Sequence, residues 1–527
     1  MSAKVLFLAM DAGDKQLIGS LVSDGTMENL RALSAGGLVG DTVSMEGFYE
    51  GSTWPSLYTG VTPARHGFHR LVQLRPGSYG FHRCDAGAFI ENDPFWVPLS
   101  SSGRKVAILD IPLSFITKNI NGIQMVEWGS HDPMYGFCAW PRGLKREVLA
   151  RFGNHPWRES CDAFPRTPEG YRDFRDRLIR GVEKKTELTK HYLRSDRWDF
   201  MAQVFSEAHC AGHQCWHLHD ASHPSHDPET ASVVGDPVRD VYVAIDAAIG
   251  EILAEVGDDT IVVFLASHRM AHNIGAERLL PKILVRLHAA EPLAPRGDEA
   301  PGNSLSRVRD RVPEWAKRAL RPVRDRLRGW RAERRDPVPY SCSRIDLEKS
   351  SCFPHENGYL VSGIRVNLAG REPAGRMRPG EEMDSFCREL ARDLLEIVDH
   401  ETGAPMIRSV KRTDSLYQGD RLNHLPDLLI EWNDEVPIGS AVAGIPKRST
   451  IRVTSGKIGI VEGINWGCRT GDHRPEGLFI ASGKGIRPGR MDRTVSLMDF
   501  APTFTQLLGV PLPDVDGRPI PEILEGS

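Results

Sequence analysis

The chain has 527 residues, 40% hydrophobic and 26% charged, with 66 basic against 70 acidic side chains and a formal net charge of −4. That length suits one large domain with an insertion, or two to three domains, and the composition is that of an ordinary soluble enzyme. The slightly acidic balance argues against nucleic acid as the main partner, since a binding groove shows as a basic excess, and no apolar run approaches the roughly 20 residues of a membrane span.

The opening "MSAKVLFLAMDAGD" has too short an apolar run for a secretory leader and no cleavage site. It reads as a first β-strand ending at Asp11. Nine cysteines are scattered without a framework, as in a reduced cytoplasmic protein. Further along, "KVAILDIP", "DFMAQVFSE", "TIVVFLASH" and "PDLLIEW" read as buried strands. Between them, segments such as "VRDVYVAIDAAIGEILAEVG" carry apolar residues at helical spacing. Strand–helix alternation predicts an α/β fold, a mostly parallel sheet sandwiched by helices. In such sheets, polar residues at the carboxyl ends of strands mark the site. Asp11 ends the first strand, Glu207 and His209 follow "MAQVFS", and Ser267 and His268 follow "IVVFLA".

The stretch "FSEAHCAGHQCWH" puts His209 and His213 four apart, on one helical face. Alone, a metal pair and a histidine-rich turn are equally good readings. Cys210 and Cys215 suit small buried positions better than soft ligands, because their spacing is not a zinc spacing. His217, His219, His223 and His226 read as loop and surface residues. Glu207 reads either as the acceptor that fixes the His209 tautomer or as a buried structural carboxylate.

The pattern breaks near residue 290. From Arg307 to Arg335 there are twelve basic and four acidic residues, with Val308, Val312, Trp315, Ala319, Val323, Leu327 and Trp330 at three- and four-residue steps. Pro322 divides this amphipathic stretch into two helices. A cap helix with a solvated basic face is the favoured reading, and peripheral contact of 307–335 with an anionic membrane is the alternative. "GYLVSGIRVNLAGREPAG" then reads as strand and turn, and "MDSFCRELARDLLEIV" as a helix. The expected organisation is a core in two parts, 1–280 and 406–527, around an inserted cap at 281–405.

Placed in order, these motifs resemble the alkaline phosphatase superfamily, in particular its type I phosphodiesterase and nucleotide pyrophosphatase branch. Asp11 stands where that family has the aspartate ending its first strand. "WPSLYTGVTPARHG" is similar to its Thr-Gly-x-x-Pro-x-x-His-Gly signature, "HCAGH" to its Asp-x-x-Gly-His ligand pair, and "ASHRM" to its Ser-Asp-His-Gly-Met motif. "IRVNLAGREPAG" resembles the strand leaving the family's cap insertion, "GDHRPEGLFIASGKGI" its late histidine motif, and "VSLMDFAPTFTQLLGVPLPDVDGRPI" its C-terminal ending. The resemblance implies a bimetal site, usually zinc. One ion would take His209, His213 and His473; the other would take Asp11, the nucleophile, Ser267 and His268.

The departures carry chemistry. The family's aspartates are His209 and Ser267 here, and the glycine of the Asp-His-Gly motif is Arg269. Three imidazoles still make a good zinc site with an open position, whereas a neutral Ser267 hydroxyl is a poor ligand. The expectation is therefore one tight metal and a weaker second. Glu207, His209 and His213 are similar to the Glu-x-His-x-x-x-His pattern of a bacterial branch of the family. The family's nucleophile lies nine residues before the threonine of Thr-Gly, which here is Glu50; the nearest hydroxyls are Thr53 and Ser52. Three readings stay open: Glu50 as a metal ligand, Thr53 as the attacking hydroxyl, or direct attack by water. Arg269 could hold a substrate oxyanion or fill the space of the glycine. Asp472 has the same alternatives as Glu207. The implied activity is metal-dependent hydrolysis, or transfer, of a small-molecule phosphoester, most readily a phosphodiester. The alternatives are a sulfate or phosphonate ester hydrolase or biosynthetic transferase on the same scaffold, and a non-catalytic binding protein with a degenerate metal site.

Overall fold

The computed structural model of the chain describes residues 4–129, 133–157, 160–293, 339, 341–435, 449–465 and 469–524. The basic stretch Arg307 to Arg335 lies outside them.

In chain order, the core strands are β1 (Lys4–Met10), β2 (Leu38–Val43), β3 (Val106–Leu109), β4 (Gly122–Val126), β5 (Cys138–Trp140), β6 (Phe200–Phe205) and β7 (Thr260–Ala266). A short strand β8 (Arg269–His272) follows β7 directly. A second unit then contributes β9 (Cys352–His355), β10 (Val361–Val366), β11 (Ile407–Arg412) and β12 (Leu428–Trp432). The chain returns with β13 (Gly471–Arg474) and β14 (Glu476–Ser482).

The main sheet runs β2-β14-β7-β1-β6-β3-β4-β5. Its five central strands, β7 to β4, are parallel, and β14 and β5 pair antiparallel on either side. This is the expected mostly parallel sheet. Strand β1 shows why it needs helices on both faces. Val5, Phe7 and Ala9 join one apolar cluster with Phe95, Phe200 and Phe504, while Leu6, Leu8 and Met10 join another with Phe174, Tyr242 and Ile249. A strand apolar at every position cannot leave either face in water. Helices α1 (Thr53–Thr59) and α5 (Phe500–Leu507) cover the first face; α2 (Pro168–Ser195), α3 (Glu207–His219) and α4 (Pro237–Leu253) pack together over the second.

One strand falls elsewhere. "PDLLIEW", expected in the main sheet, supplies β12, the third strand of a separate antiparallel sheet ordered β9-β10-β12-β11. A short apolar run marks burial on both faces and carries no information on which sheet it joins. The pairing of β10 with β12 crosses residue 405, and a three-stranded sheet that includes Ser449–Ser455 and Gly459–Asn465 follows before the chain re-enters the core. The two units touch at Asn357, whose side-chain amide donates to the Gly47 carbonyl at 2.7 Å.

Candidate active site

Strand register assembles the site. β1 lies between β6 and β7 with Met10 opposite both Phe205 and Ala266. Asp11, Ser206 and Ser267 therefore leave the sheet at one level. The Asp11 amide donates to the Phe205 carbonyl at 3.0 Å, and the Ser267 amide to that of Met10 at 3.2 Å. Helix α3 begins at once after β6 and presents His209 and His213 one turn apart, ring centroids 4.4 Å from each other. β8 pairs antiparallel with β13, Met270 opposite His473, and this delivers the third imidazole from far along the chain. Gly212 is what lets these elements meet. A Cβ there would lie 2.9 Å from the Met270 methyl carbon, so the glycine of "HCAGH" answers a close approach.

His209, His213 and His473 are all buried, and their ligand atoms lie within 4.8 Å of one another. The Nε2 atoms of His209 and His473 are 2.9 Å apart. His213 donates Nδ1–H to the Gly471 carbonyl at 2.7 Å, which leaves the lone pair on Nε2. Three converging imidazoles, one with its tautomer fixed from behind, fit a zinc-type ion with an open coordination position.

The other expected ligands are close by but differently arranged. The His268 ring centroid is 4.3 Å from that of His473. Its Nδ1 meets the Ser267 hydroxyl at 2.9 Å, and its buried Nε2 has no hydrogen-bond partner among the described residues. Burial lowers the His268 pKa to about 3, so the ring is neutral. Asp11 accepts the Trp54 indole N–H at 2.8 Å, and Ser267 Oγ accepts the Ala12 amide at 3.3 Å.

These groups share a cavity of about 310 Å³. Glu50 lines it too. One Glu50 oxygen accepts the Tyr359 amide at 2.7 Å, and the other pairs with Arg70. Arg70 also lies 3.9 Å from Glu356. A Cβ on Gly358 would come within 2.7 Å of the Glu50 carboxylate, so that glycine admits the β9–β10 hairpin to the cavity wall.

Several expected site residues sit elsewhere. Thr53 is fully buried outside the cavity lining; its hydroxyl donates to the Tyr49 carbonyl at 2.8 Å and shares a hydrogen bond with Ser44 at 2.7 Å. Ser52 is likewise directed to the Phe68 carbonyl, 2.8 Å away. Arg269 bonds Asp14 at 3.3 Å and Gln16 at 3.2 Å and is not in the lining. Glu207 turns away from His209. It meets His155 at 2.9 Å and Lys185 at 3.3 Å, all three buried. Burial pushes the Glu207 carboxyl up, but the Lys185 ammonium and His155 more than offset this and hold it below its ordinary value. Asp472 is buried, with neither carboxylate oxygen partnered among the described residues; burial raises its pKa. His217 and His223 are buried rather than on the surface. His217 bonds the Thr470 hydroxyl at 3.1 Å and His223 the Thr470 carbonyl at 3.0 Å, which fixes the turn before His473.

Arg70, Glu356, Tyr359 and Arg469 were not singled out from sequence, yet all line the cavity. One signal was present. Asn357-Gly358 lies between two apolar runs, the dipeptide that marks a hairpin tip, and that tip carries Glu356 and Tyr359.

A family model described as type I phosphodiesterase / nucleotide pyrophosphatase matches residues 5–343. Phosphonoacetate hydrolase from Sinorhizobium meliloti 1021, solved in complex with phosphonoformate, aligns with a TM-score of 0.51 at 12% identity over 97% of this chain and 96% of that one. Murine ectonucleotide pyrophosphatase / phosphodiesterase 5, solved in complex with AMP, aligns with a TM-score of 0.47 at 10% identity over 98% and 97%. No curated protein matches the chain by sequence.

Proposed function

The chain belongs to the type I phosphodiesterase / nucleotide pyrophosphatase family, and on that premise we propose that it hydrolyses a small phosphodiester at one zinc ion held by His209, His213 and His473. The convergence of three buried imidazoles at one end of the cavity carries this reading. The ion would supply Lewis-acid polarisation of a phosphoryl oxygen. The chain's own groups do the rest. His213, fixed through its Nδ1–H, and His473, carried by β13, would hold the ion together with His209 at the cavity. Asp11 and His268 line the same cavity. The hydrophobic wall of the cavity limits access of bulk water.

Counting back nine residues from Thr59 puts Glu50 at the family's nucleophile position, and among the described residues no serine or threonine side chain lines the cavity. A carboxylate is a poor attacker on phosphorus but a good proton acceptor. In this proposal a water attacks phosphorus, Glu50 takes its proton, and the P–O bond on the opposite side breaks to release the alkoxide or phenolate, which takes a proton from solvent. Arg70 and the Tyr359 amide hold the Glu50 carboxylate in place for that transfer. Neither Thr53 nor Arg269 has a role. The second unit forms the cap that faces the substrate. Its sheet pairing supports counting residues up to 465 with it, rather than ending it at 405.

Cytoplasmic residence is part of the same proposal. Free thiols at Cys84, Cys138, Cys215, Cys342, Cys352 and Cys387 support it, and no helix among the described residues is long and apolar enough to cross a membrane.

The test uses zinc-loaded protein and bis(p-nitrophenyl) phosphate. Glu50→Gln keeps its zinc and loses about 100-fold or more in kcat, the range of a general base. Full turnover in Glu50→Gln would remove the carboxylate from the mechanism. Loss of zinc together with turnover would make it a metal ligand instead.

A further inference from the structure

Part of the cavity lining is apolar, and it includes a strained residue. Leu113 has φ +54°, in the left-handed region that leucine rarely adopts. It sits just beyond the carboxyl end of β3 and, with Pro112, lines the cavity. Its carbonyl accepts the Tyr58 hydroxyl at 3.0 Å, an interaction that helps hold the unusual backbone. Strain of this kind costs on the order of 1 kcal/mol and persists where the surroundings impose it. Here it presents a branched aliphatic side chain to the site. Phe68, Leu71, Val72 and Trp54 continue the same surface.

Several polar groups of the lining already have partners. The Trp54 indole N–H is bonded to Asp11. The Arg70 guanidinium lies 5.4 Å from the Tyr359 ring centroid, so one face of that ring is covered. Arg70 is paired with Glu50, and Arg469 bonds Asp162 at 3.1 and 3.2 Å. A nucleobase would meet few donors or acceptors on this wall, and a polyphosphate would compete with carboxylates for both arginines.

We infer that the organic substituent of the substrate is apolar and uncharged, an alkyl or aryl group seated on Leu113 and Val72 while its phosphoryl group faces the histidines. This rests on the proposed zinc-dependent reading of the same site and narrows it to esters of apolar alcohols. Leu113 and Val72 are then the residues that set specificity.

Calorimetric titration of the zinc-loaded full chain with methyl-, propyl- and hexylphosphonate, and with AMP, tests this without requiring turnover. Each buried methylene is worth about fourfold in affinity, so propylphosphonate, with two more methylenes, should bind about fifteenfold tighter than methylphosphonate, and hexylphosphonate tighter than AMP. Leu113→Asn tolerates the left-handed backbone and removes the apolar surface; Val72→Thr keeps the shape and adds a hydroxyl. Each should reduce the methyl-to-propyl gain to about threefold or less. A flat series, absence of phosphonate binding, tighter binding of AMP, or an undiminished gain in both variants overturns the inference. Turnover of bis(p-nitrophenyl) phosphate, measured alongside, separates the two readings. A flat series with turnover sinks the apolar subsite alone; a steep series without turnover leaves the subsite and sinks the hydrolase mechanism.

Discussion

The histidine triad and the group formed by Asp11, Ser267 and His268 lie against one another at the same end of the parallel sheet, yet they are built on different principles. In the triad, three imidazoles from two distant segments bring their ligand atoms within 4.8 Å. His213 is supported from behind through the Gly471 carbonyl, and the Nε2 atoms of His209 and His473 face each other at 2.9 Å. In the neighbouring group, Ser267 is bonded to His268 and Ala12 and Asp11 to Trp54, while the buried His268 Nε2 has no hydrogen-bond partner among the described residues. Buried polar groups that point at a shared space need a cation or a proton to be stable, whereas groups that close on themselves do not. By resemblance to the family, His209 and Ser267 stand at the two positions that would carry aspartate. Replacing aspartate by His209 leaves a usable neutral ligand, but replacing aspartate by Ser267 turns a charged ligand into a hydrogen-bonding link.

Breaking the triad should have the largest effect. His213→Ala or His473→Ala should weaken zinc binding by more than the ~10- to 100-fold that follows loss of an outer hydrogen-bond partner of a ligand, and turnover should fall with it. Zinc retained at wild-type affinity in both variants would mean that the ion sits elsewhere.

Ser267→Asp tests the comparison from the other side. It restores a carboxylate between Asp11 and His268 at a fully buried position. Without metal, the new charge beside Asp11 should destabilise the fold, by about 1–3 kcal/mol. Excess zinc should recover the loss, and a second ion should appear in elemental analysis. If no second ion binds, the half-site lacks more than a carboxylate.

His268→Ala should leave tight zinc binding within about threefold of wild type, because the ring is tied to Ser267 and stands outside the triad. A larger loss would merge the two groups into one site. The smallest effect is expected from Thr53→Ala. It removes two buried hydrogen bonds and should lower stability by about 1–2 kcal/mol, while kcat per folded molecule stays within about twofold. A steep loss of kcat would return the hydroxyl to the chemistry.

Much of this site was legible in the sequence because it depends on strand order and register. Asp11, His209 and His268 follow apolar runs that become adjacent parallel strands, and an apolar run is the most readable feature of a buried strand. The late histidine motif was legible only through its resemblance to the family, since nothing near His473 states that β13 pairs with β8. Side-chain direction was not legible. Thr53 and Glu50 are three residues apart in one turn-rich segment. The count from Thr59 pointed to Glu50, while the chemistry of hydroxyl attack pointed to Thr53; the hydrogen bonds of Thr53 to Ser44 and Tyr49 are why the proposal uses the carboxylate. Arg269 looked suited to an anion by residue type, but it bonds Asp14 and Gln16 and is not in the cavity lining. Glu207 had two readings, and the buried Lys185 beneath α3 selects the structural one.

The central claim is that one half-site binds metal tightly and the other does not. Elemental analysis of the purified full chain, loaded with excess zinc and then dialysed exhaustively against metal-free buffer, tests it most directly. The account predicts one zinc per chain, lost in His473→Ala. Two zinc ions retained equally tightly, or none, would contradict it.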